Sequence, residues 1–223
     1  LLGSKSIYWV DTRYNFNLNL TKEYAKALLS IKNKVAKDIR IHDVNEIQKK
    51  LKMVLKCKSD SDFFKLCNIT YDAPGDARSI KLQNGSVDVI YSWGVLEHIP
   101  WDHICKIFKN SILLLNENGR HYHNIGTHDH FQGVGLNNGV NFLKYSNFKW
   151  RLIAGNKFAY HNRNRAVDYL EIINRMKFKI TYQWDEILDL NLDALKTIKI
   201  HPDFKSYSKE ELACSHLLIE CRK

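Results

Sequence analysis

The stretch Asn84-Gly85-Ser86-Val87-Asp88-Val89-Ile90-Tyr91-Ser92-Trp93-Gly94-Val95-Leu96-Glu97-His98-Ile99-Pro100 decides how the chain is read. Asn84-Gly85 is a turn signal, because both residues tolerate positive φ. Ser86 to Ser92 then reads as a strand, with Val87, Val89, Ile90 and Tyr91 supplying the β-branched and aromatic character. Ser92, Trp93 and Gly94 leave that strand, and Glu97 and His98 follow on a loop. Trp101 to Leu115 repeats apolar residues at helical spacing, Asn116-Glu117-Asn118-Gly119 stops the helix, and Arg120 to Ile125 reads as the next strand. Strand, polar loop, helix and strand make a βαβ unit. Such units build parallel sheets and gather polar residues at the carboxyl ends of the strands.

Upstream of this block, Ser6 to Val10 reads as a strand closed by Asp11. Tyr24, Leu28, Ile31 and Val35 predict a helix over Leu20 to Lys37; a second helix is expected over Val44 to Leu55, and Cys67 to Tyr71 reads as a strand. Downstream, Val167, Leu170, Ile173 and Met176 share one face of a helix from Arg163 to Met176. Phe178 to Trp184 and Leu212 to Cys221 are two late strands with no good helix between them, which suits an antiparallel pair. The expected fold class is α/β: a Rossmann-like, mainly parallel sheet with helices on both faces and an antiparallel C-terminal strand pair. No repeat or linker divides residues 1–223, which read as one domain. An insertion at about 127–162 holds Phe142, Tyr145, Phe148, Trp150, Phe158 and Tyr160, and reads as a substrate lid or as an extra helix packed on the core.

Composition narrows the classes. The 223 residues are 44% hydrophobic and 26% charged, ordinary for a soluble globular chain, and no apolar run is long enough to span a membrane. Leu1 to Lys5 lacks the basic and apolar regions of a signal peptide. Five cysteines, odd in number and without a CxxC pair, argue against a disulfide framework or a zinc ribbon and suit a cytoplasmic location. A net charge of +10 favours acidic partners, although a lysine-rich compositional bias explains it equally, and no dense basic cluster singles out nucleic acid.

The block from Asp76-Ala77 to Asn118-Gly119 resembles the middle of class I S-adenosylmethionine-dependent methyltransferases. That family shows an Asp-Ala pair, a short turn, a strand ending in Ser, a loop carrying Glu-His, and a glycine turn after the following helix. Tyr8-Trp9-Val10-Asp11 is similar to the family's second strand, Lys177-Phe178-Lys179-Ile180 to its sixth, and His201 to Lys223 to its closing strand. The resemblance expects a first strand and a glycine-rich loop before Tyr8, where seven residues stand, with Leu1-Leu2-Gly3 as the end of the first helix. It therefore implies a chain lacking that strand and loop, either a fragment or a degenerate protein. Gly133-Val134-Gly135 does not replace the loop, since it opens no strand-to-helix turn.

The resemblance implies S-adenosylmethionine as cofactor and methyl transfer to a small-molecule acceptor, anionic or sugar-type given the basic balance and Arg151, Arg163 and Arg165. It places Asp11 on the ribose hydroxyls, Asp76 on the adenine amino group with the Ala77 N–H on the ring, and Ser92, Trp93 and Gly94 beside the sulfonium. Asp11 as a turn residue and Asp76 as an Asx turn after Pro74-Gly75 are the structural alternatives. Glu97 and His98 form the expected catalytic pair. Methyl transfer needs in-line positioning, and an oxygen or nitrogen acceptor also needs a base such as His98; the alternative is that His98 orients the loop. His128, Asp129 and His130 are the expected substrate-facing residues. His121 and His123, two apart on a strand, share a face, and together with His128 and His130 they invite a metal reading; none is expected. An RNA methyltransferase and a non-catalytic methyltransferase-like binding protein stand as the other two classes.

Overall fold

Residues 4–38, 44–131, 138–155 and 160–223 are described by the structure, a computed structural model. Leu1-Leu2-Gly3, Gly133-Val134-Gly135 and Phe158 lie outside these residues. The chain divides into two units, Leu1–Ala77 and Arg78–Lys223.

In the first unit β1 (Ile7–Val10) is followed by helices α1 (Leu18–Ser30), α2 (Lys32–Asp38), α3 (Val44–Lys56) and α4 (Asp60–Cys67), then by β2 (Ile69–Asp72). β2 pairs parallel with β1, from Ile7 opposite Ile69 to Val10 opposite Asp72. Asn17 caps α1 by accepting the Leu20 N–H. The helix expected over 20–37 breaks at Ile31, whose φ of −117° leaves the helical region. Ile47, Leu51 and Val54 line one face of α3 and pack with Ala25, Phe63 and Cys67. α4 escaped the periodicity because it is only two turns long. Its signature is local: Ser59 and Asp62 form a reciprocal capping box, and Asn68, in the left-handed region at φ 50°, ends it.

In the second unit β3 (Val87–Trp93) leads through α5 (Trp101–Leu114) to β4 (Leu115–Gly126). Then come α6 (Asn147–Ala154), α7 (Ala166–Arg175), β5 (Lys179–Ile187), α8 (Asp189–Thr197), α9 (Lys209–Ala213) and β6 (Cys214–Arg222). The sheet order is β3-β4-β6-β5. β3 and β4 are parallel, and β6 runs antiparallel to both β4 and β5. The chain is thus α/β, with parallel pairs and the expected antiparallel C-terminal pair. The helix α8 between the last two strands was not expected. Its buried positions are Asn191 and Leu195, so a polar residue interrupts the apolar stripe that would have revealed it.

Ile104 and Phe108 of α5 and Tyr169, Ile172 and Ile173 of α7 cover one face of this sheet, over Ile125, Leu217, Ile219 and Cys221. On the other face, two lateral rows cross the strands: Tyr91, Tyr122, Glu220 and Tyr182, then Trp93, Asn124, Leu218 and Trp184. Tyr91, Trp93, Tyr182 and Trp184 are exposed there. Much of the aromatic insertion is core. Phe142, Leu143 and Trp150 are buried with Leu195, Phe204 and Leu212, while Tyr145 and Phe148 stay exposed.

Two arginines fasten this insertion to the sheet. Arg163 donates to the carbonyls of Phe142 (2.8 Å) and Tyr145 (2.5 Å) and to Asn147 Oδ1 (2.6 Å), with its guanidinium 4.6 Å from the Phe204 ring centroid. Arg165, fully buried, donates to the carbonyls of Thr127, Cys214 (2.8 Å) and Glu211 (3.4 Å). Neither is the solvated or anion-facing arginine that the sequence suggested. Burial pushes the Arg163 guanidinium down to about 10 and lowers Arg165 as well; the carbonyls offset the cost of burying these charges, although Arg165 Nη1 is buried without a hydrogen-bond partner. Replacing Arg165 by Met should lower stability by about 2–5 kcal/mol, because it strands the buried Thr127 carbonyl and leaves the Cys214 carbonyl with only the Thr127 hydroxyl as a side-chain donor. Urea unfolding of both proteins checks this; a loss below 1 kcal/mol would mean the carbonyls find other partners.

Candidate functional site

The site is built from the loop that leaves β3. Gly94 turns the chain at φ 62°, a conformation that disfavours any side chain, and donates its N–H to the Asn124 carbonyl of β4 at 3.0 Å. A single 3-10 turn, Leu96–His98, follows. Asn162 clamps it: its side-chain NH2 donates to the carbonyls of Leu96 and Ile99, each at 2.9 Å, and its main-chain N–H donates to the Glu97 carbonyl at 2.8 Å. Tyr169, from beneath, donates to Asn162 Oδ1 at 3.2 Å. The clamp fixes Glu97 facing inward and His98 facing outward.

Glu97 is 2% exposed. Its Oε1 accepts the Gly126 N–H at 3.0 Å, and its Oε2 is buried without a hydrogen-bond partner. Burial holds the Glu97 carboxyl above its ordinary range. His98 donates from Nδ1 to the Tyr160 carbonyl at 2.9 Å, since a carbonyl can only accept. In the neutral ring this leaves a lone pair on Nε2. A Cβ on Gly126 would lie 2.9 Å from Glu97 Oε1 and 3.0 Å from His130 Nε2, so any side chain at the end of β4 would displace these two groups.

Around this pair stand four more imidazoles. His130 lies 5.1 Å from His98 and 4.4 Å from both His128 and His161, ring centroid to centroid. His216 lies 4.8 Å from His128 and donates from Nδ1 to Glu186 Oε2 at 2.8 Å. His128 donates from Nδ1 to the Ser215 carbonyl at 3.2 Å. His161 is buried, and neither of its ring nitrogens has a partner. Burial pushes His161 down to about 3 and lowers His128 and His130, so these rings are neutral near pH 7. Among the described residues no three His, Cys, Asp or Glu side chains meet as a metal site.

Of the expected substrate-facing residues, His128 and His130 thus join Glu97 and His98. Asp129 does not. It is buried, accepts the Phe131 N–H at 2.8 Å on Oδ1, and donates its own N–H to the Gly139 carbonyl, which makes it a loop anchor. His121 and His123 share a face as read, and that face is the core. Ser111 donates to the Phe108 carbonyl at 2.7 Å, so its oxygen must accept from His121 Nε2 at 3.0 Å. His121 Nδ1 then accepts from His123 Nε2 at 3.0 Å, and His123 Nδ1 accepts from Ser92 Oγ at 2.7 Å. One carbonyl therefore sets the direction of the whole chain, and Ser92 turns its proton inward. Trp93 lies on the exposed face.

In the first unit Asp11 follows β1. Its N–H donates to the Asp72 carbonyl at 3.0 Å, and its Oδ2 accepts from Asn15 Nδ2 at 3.1 Å, leaving Oδ1 open among the described residues. β2 ends on Asp72, whose carboxylate accepts from Tyr8 OH at 2.7 Å. Asp76 and Ala77 stand half-buried just after it. Sequence reading passed over Asp72, Gly126, His161, Asn162 and His216. The dense polar run His161-Asn162-Arg163-Asn164-Arg165 ahead of an apolar helix was the available signal.

No family model matches the chain, and no curated protein matches it. Solved structures similar to it are S-adenosylmethionine-dependent methyltransferases. Geranyl diphosphate C-methyltransferase from Streptomyces coelicolor A3(2) shares 12% identity at a TM-score of 0.43, over 73% of this chain and 57% of that one. A methyltransferase from Mesorhizobium loti shares 16% identity at 0.44, over 74% and 77%. The 1,6-didemethyltoxoflavin-N1-methyltransferase of Burkholderia thailandensis shares 10% at 0.43, over 73% and 55%. The chain thus spans little more than half the length of the first of these. No helix of the described residues is long and apolar enough to cross a membrane.

The buried imidazoles tie stability to pH. His121 is pushed down to about 4 and His123 to about 3 by burial, against an unfolded value near 6.5. The neutral rings thus stabilise the fold above pH 6.5. As pH falls from 6.5 towards 4, the unfolded chain takes up protons that the folded chain refuses, and each such histidine costs about 1.4 kcal/mol per pH unit. Glu97, Asp129 and Asp168, raised by burial, act in the opposite sense, so a comparison with a variant isolates the histidines. Between pH 7 and pH 5.5, wild type should lose about 1 kcal/mol more stability than His123→Leu, as measured by urea midpoints. Equal losses would show that His123 titrates normally.

Proposed function

We propose that the chain is an S-adenosylmethionine-dependent methyltransferase acting on a small-molecule acceptor. The observation that carries the reading is that the block resembling this family falls on β3, its loop, α5 and β4. It gathers a buried carboxylate and a tautomer-fixed histidine at the carboxyl ends of two parallel strands, where open α/β sheets bind ligands.

The cofactor supplies an electrophilic methyl group. In the first unit, Asp11 has an open carboxylate oxygen for a ribose hydroxyl, and Asp76 with the Ala77 N–H is proposed for the adenine. In the second, the backbone at Ser92, Trp93 and Gly94 is proposed to approach the donor's sulfur end, with Gly94 permitting the turn. His98 takes the acceptor's proton on Nε2 while the Tyr160 carbonyl holds the ring in that tautomer. Glu97, buried beside it, accepts the Gly126 N–H and ties this loop to the end of β4. His128 and His130 line the acceptor side.

Calorimetric titration of S-adenosylhomocysteine should show binding that Asp11→Ala weakens about tenfold, the cost of one hydrogen bond to a charged group. Unchanged affinity would remove Asp11 from the cofactor site, and no binding to wild type would overturn the methyltransferase reading of this chain. Once an acceptor is found, His98→Gln should lower kcat about 100-fold or more with the cofactor affinity intact. An unchanged kcat would leave His98 as a loop residue.

A further inference from the structure

The hydrogen-bonding character of the cluster at the ends of β3 and β4 specifies what it can hold. Glu97 Oε2 is buried and only accepts. His98 and His128 have each given their Nδ1 proton to a carbonyl, of Tyr160 and Ser215, so in the neutral state each presents a lone pair on Nε2. His161 is buried with one donor and one acceptor unspent. His130, between them, is bound to no partner among the described residues. The inventory is thus dominated by acceptors, with the Glu97 carboxylate buried within the cluster and the Glu186 carboxylate at its edge on His216. The two arginines that would welcome an anion are instead bound to main-chain carbonyls beneath the insertion.

We infer that this cluster takes a ligand that donates hydrogen bonds, a polyhydroxyl or amino group, and turns away phosphate and carboxylate groups. A hydroxyl or ammonium that reaches Glu97 Oε2 would satisfy a buried acceptor that otherwise costs about 1–3 kcal/mol, and one that meets His98 or His128 finds a further acceptor on Nε2. A phosphate brings only acceptors and negative charge to the same atoms. Of the two acceptor types expected from the sequence, anionic or sugar-type, this favours the sugar-type one; the basic net charge that suggested an anion is a property of the whole surface, and the cluster does not share it. The inference rests on reading this cluster as the acceptor side of the site.

The test uses three probes built on one sugar ring: methyl glucoside as a neutral polyol, glucosamine with an amine at C2 and glucose 6-phosphate with a phosphate at C6. Each is titrated at pH 8 into the full chain without cofactor, with binding read by saturation-transfer NMR and by the imidazole 15N shifts of His98, His128 and His161. Methyl glucoside or glucosamine should move those shifts at concentrations about tenfold below any effect of glucose 6-phosphate. Comparing the two tells hydroxyl from ammonium recognition. Glu97→Gln keeps an oxygen for the Gly126 N–H while replacing the other acceptor by a donor, and should weaken the better neutral or cationic probe about tenfold. Tighter binding of the phosphate, an indifferent Glu97→Gln with an unchanged melting temperature, or no response of the imidazoles to any probe would each overturn the inference. Because no cofactor is present, these results stand apart from the S-adenosylhomocysteine titration, and either can fail alone.

Discussion

The guanidinium of Arg165 is the contact on which the second unit's architecture depends. It sits between the last turn of one antiparallel partner and the first residues of the other, donating to Thr127 after β4, Cys214 at the start of β6 and Glu211 of α9. Of these carbonyls, that of Thr127 has just left one ladder, that of Cys214 opens the next, and that of Glu211 lies in the last turn of the short helix between them. A single five-donor group satisfies them in a place water does not reach. Arg163 does the same for the short turn at 141–145. The cost of burying two cations is offset by fixing the insertion against the strand ends, and that fixes the position of Tyr160 and His161 beside the Glu97 loop.

The polar interior follows the same logic. Ser92, His123, His121 and Ser111 form a line of hydrogen bonds whose direction is dictated by one carbonyl, that of Phe108. Asn162 performs the equivalent task for the Glu97-His98 turn, using both its donor protons and its carbonyl oxygen. In both cases a buried polar side chain removes alternatives of rotamer or tautomer. Ser92 therefore keeps its hydrogen turned away from solvent, and His98, on the loop that Asn162 holds, has its tautomer set by the Tyr160 carbonyl.

The sheet and its helices were largely legible because long elements carry repeating signals. α3 shows Ile47, Leu51 and Val54 at helical spacing, and β3 announces itself by Asn84-Gly85 and a β-branched run. Short or mixed elements were not: α4 has two turns and α8 buries an asparagine. Within the site, Glu97, His98, His128 and His130 stand near one another in space as they do in two short stretches of sequence. Asp129 was misread because alternation along a loop does not fix which side chain faces outward. His161 and His216 could not be found from spacing, since they reach the cluster through Arg163 and Arg165 and through the antiparallel return of β6, neither of which is local. The arginines read as surface charges because isolated basic residues usually are; their burial becomes visible only when the carbonyls they serve are known.

Among the described residues β3 is an edge strand of the second unit's own sheet, which has a bearing on how the protein behaves in a tube. In the second unit β3 has a ladder partner on one side only, and beside that edge Tyr91 and Trp93 lie in rows that continue to Tyr182 and Trp184. An unpaired strand flanked by exposed rings is a template for edge-to-edge association. What opposes it is mutual repulsion between molecules carrying a net charge of +10. Repulsion of that kind reaches about 10 Å at 0.1 M salt and only about 3 Å at 1 M. Colloidal stability thus depends on low ionic strength, and high-salt purification steps act directly against it.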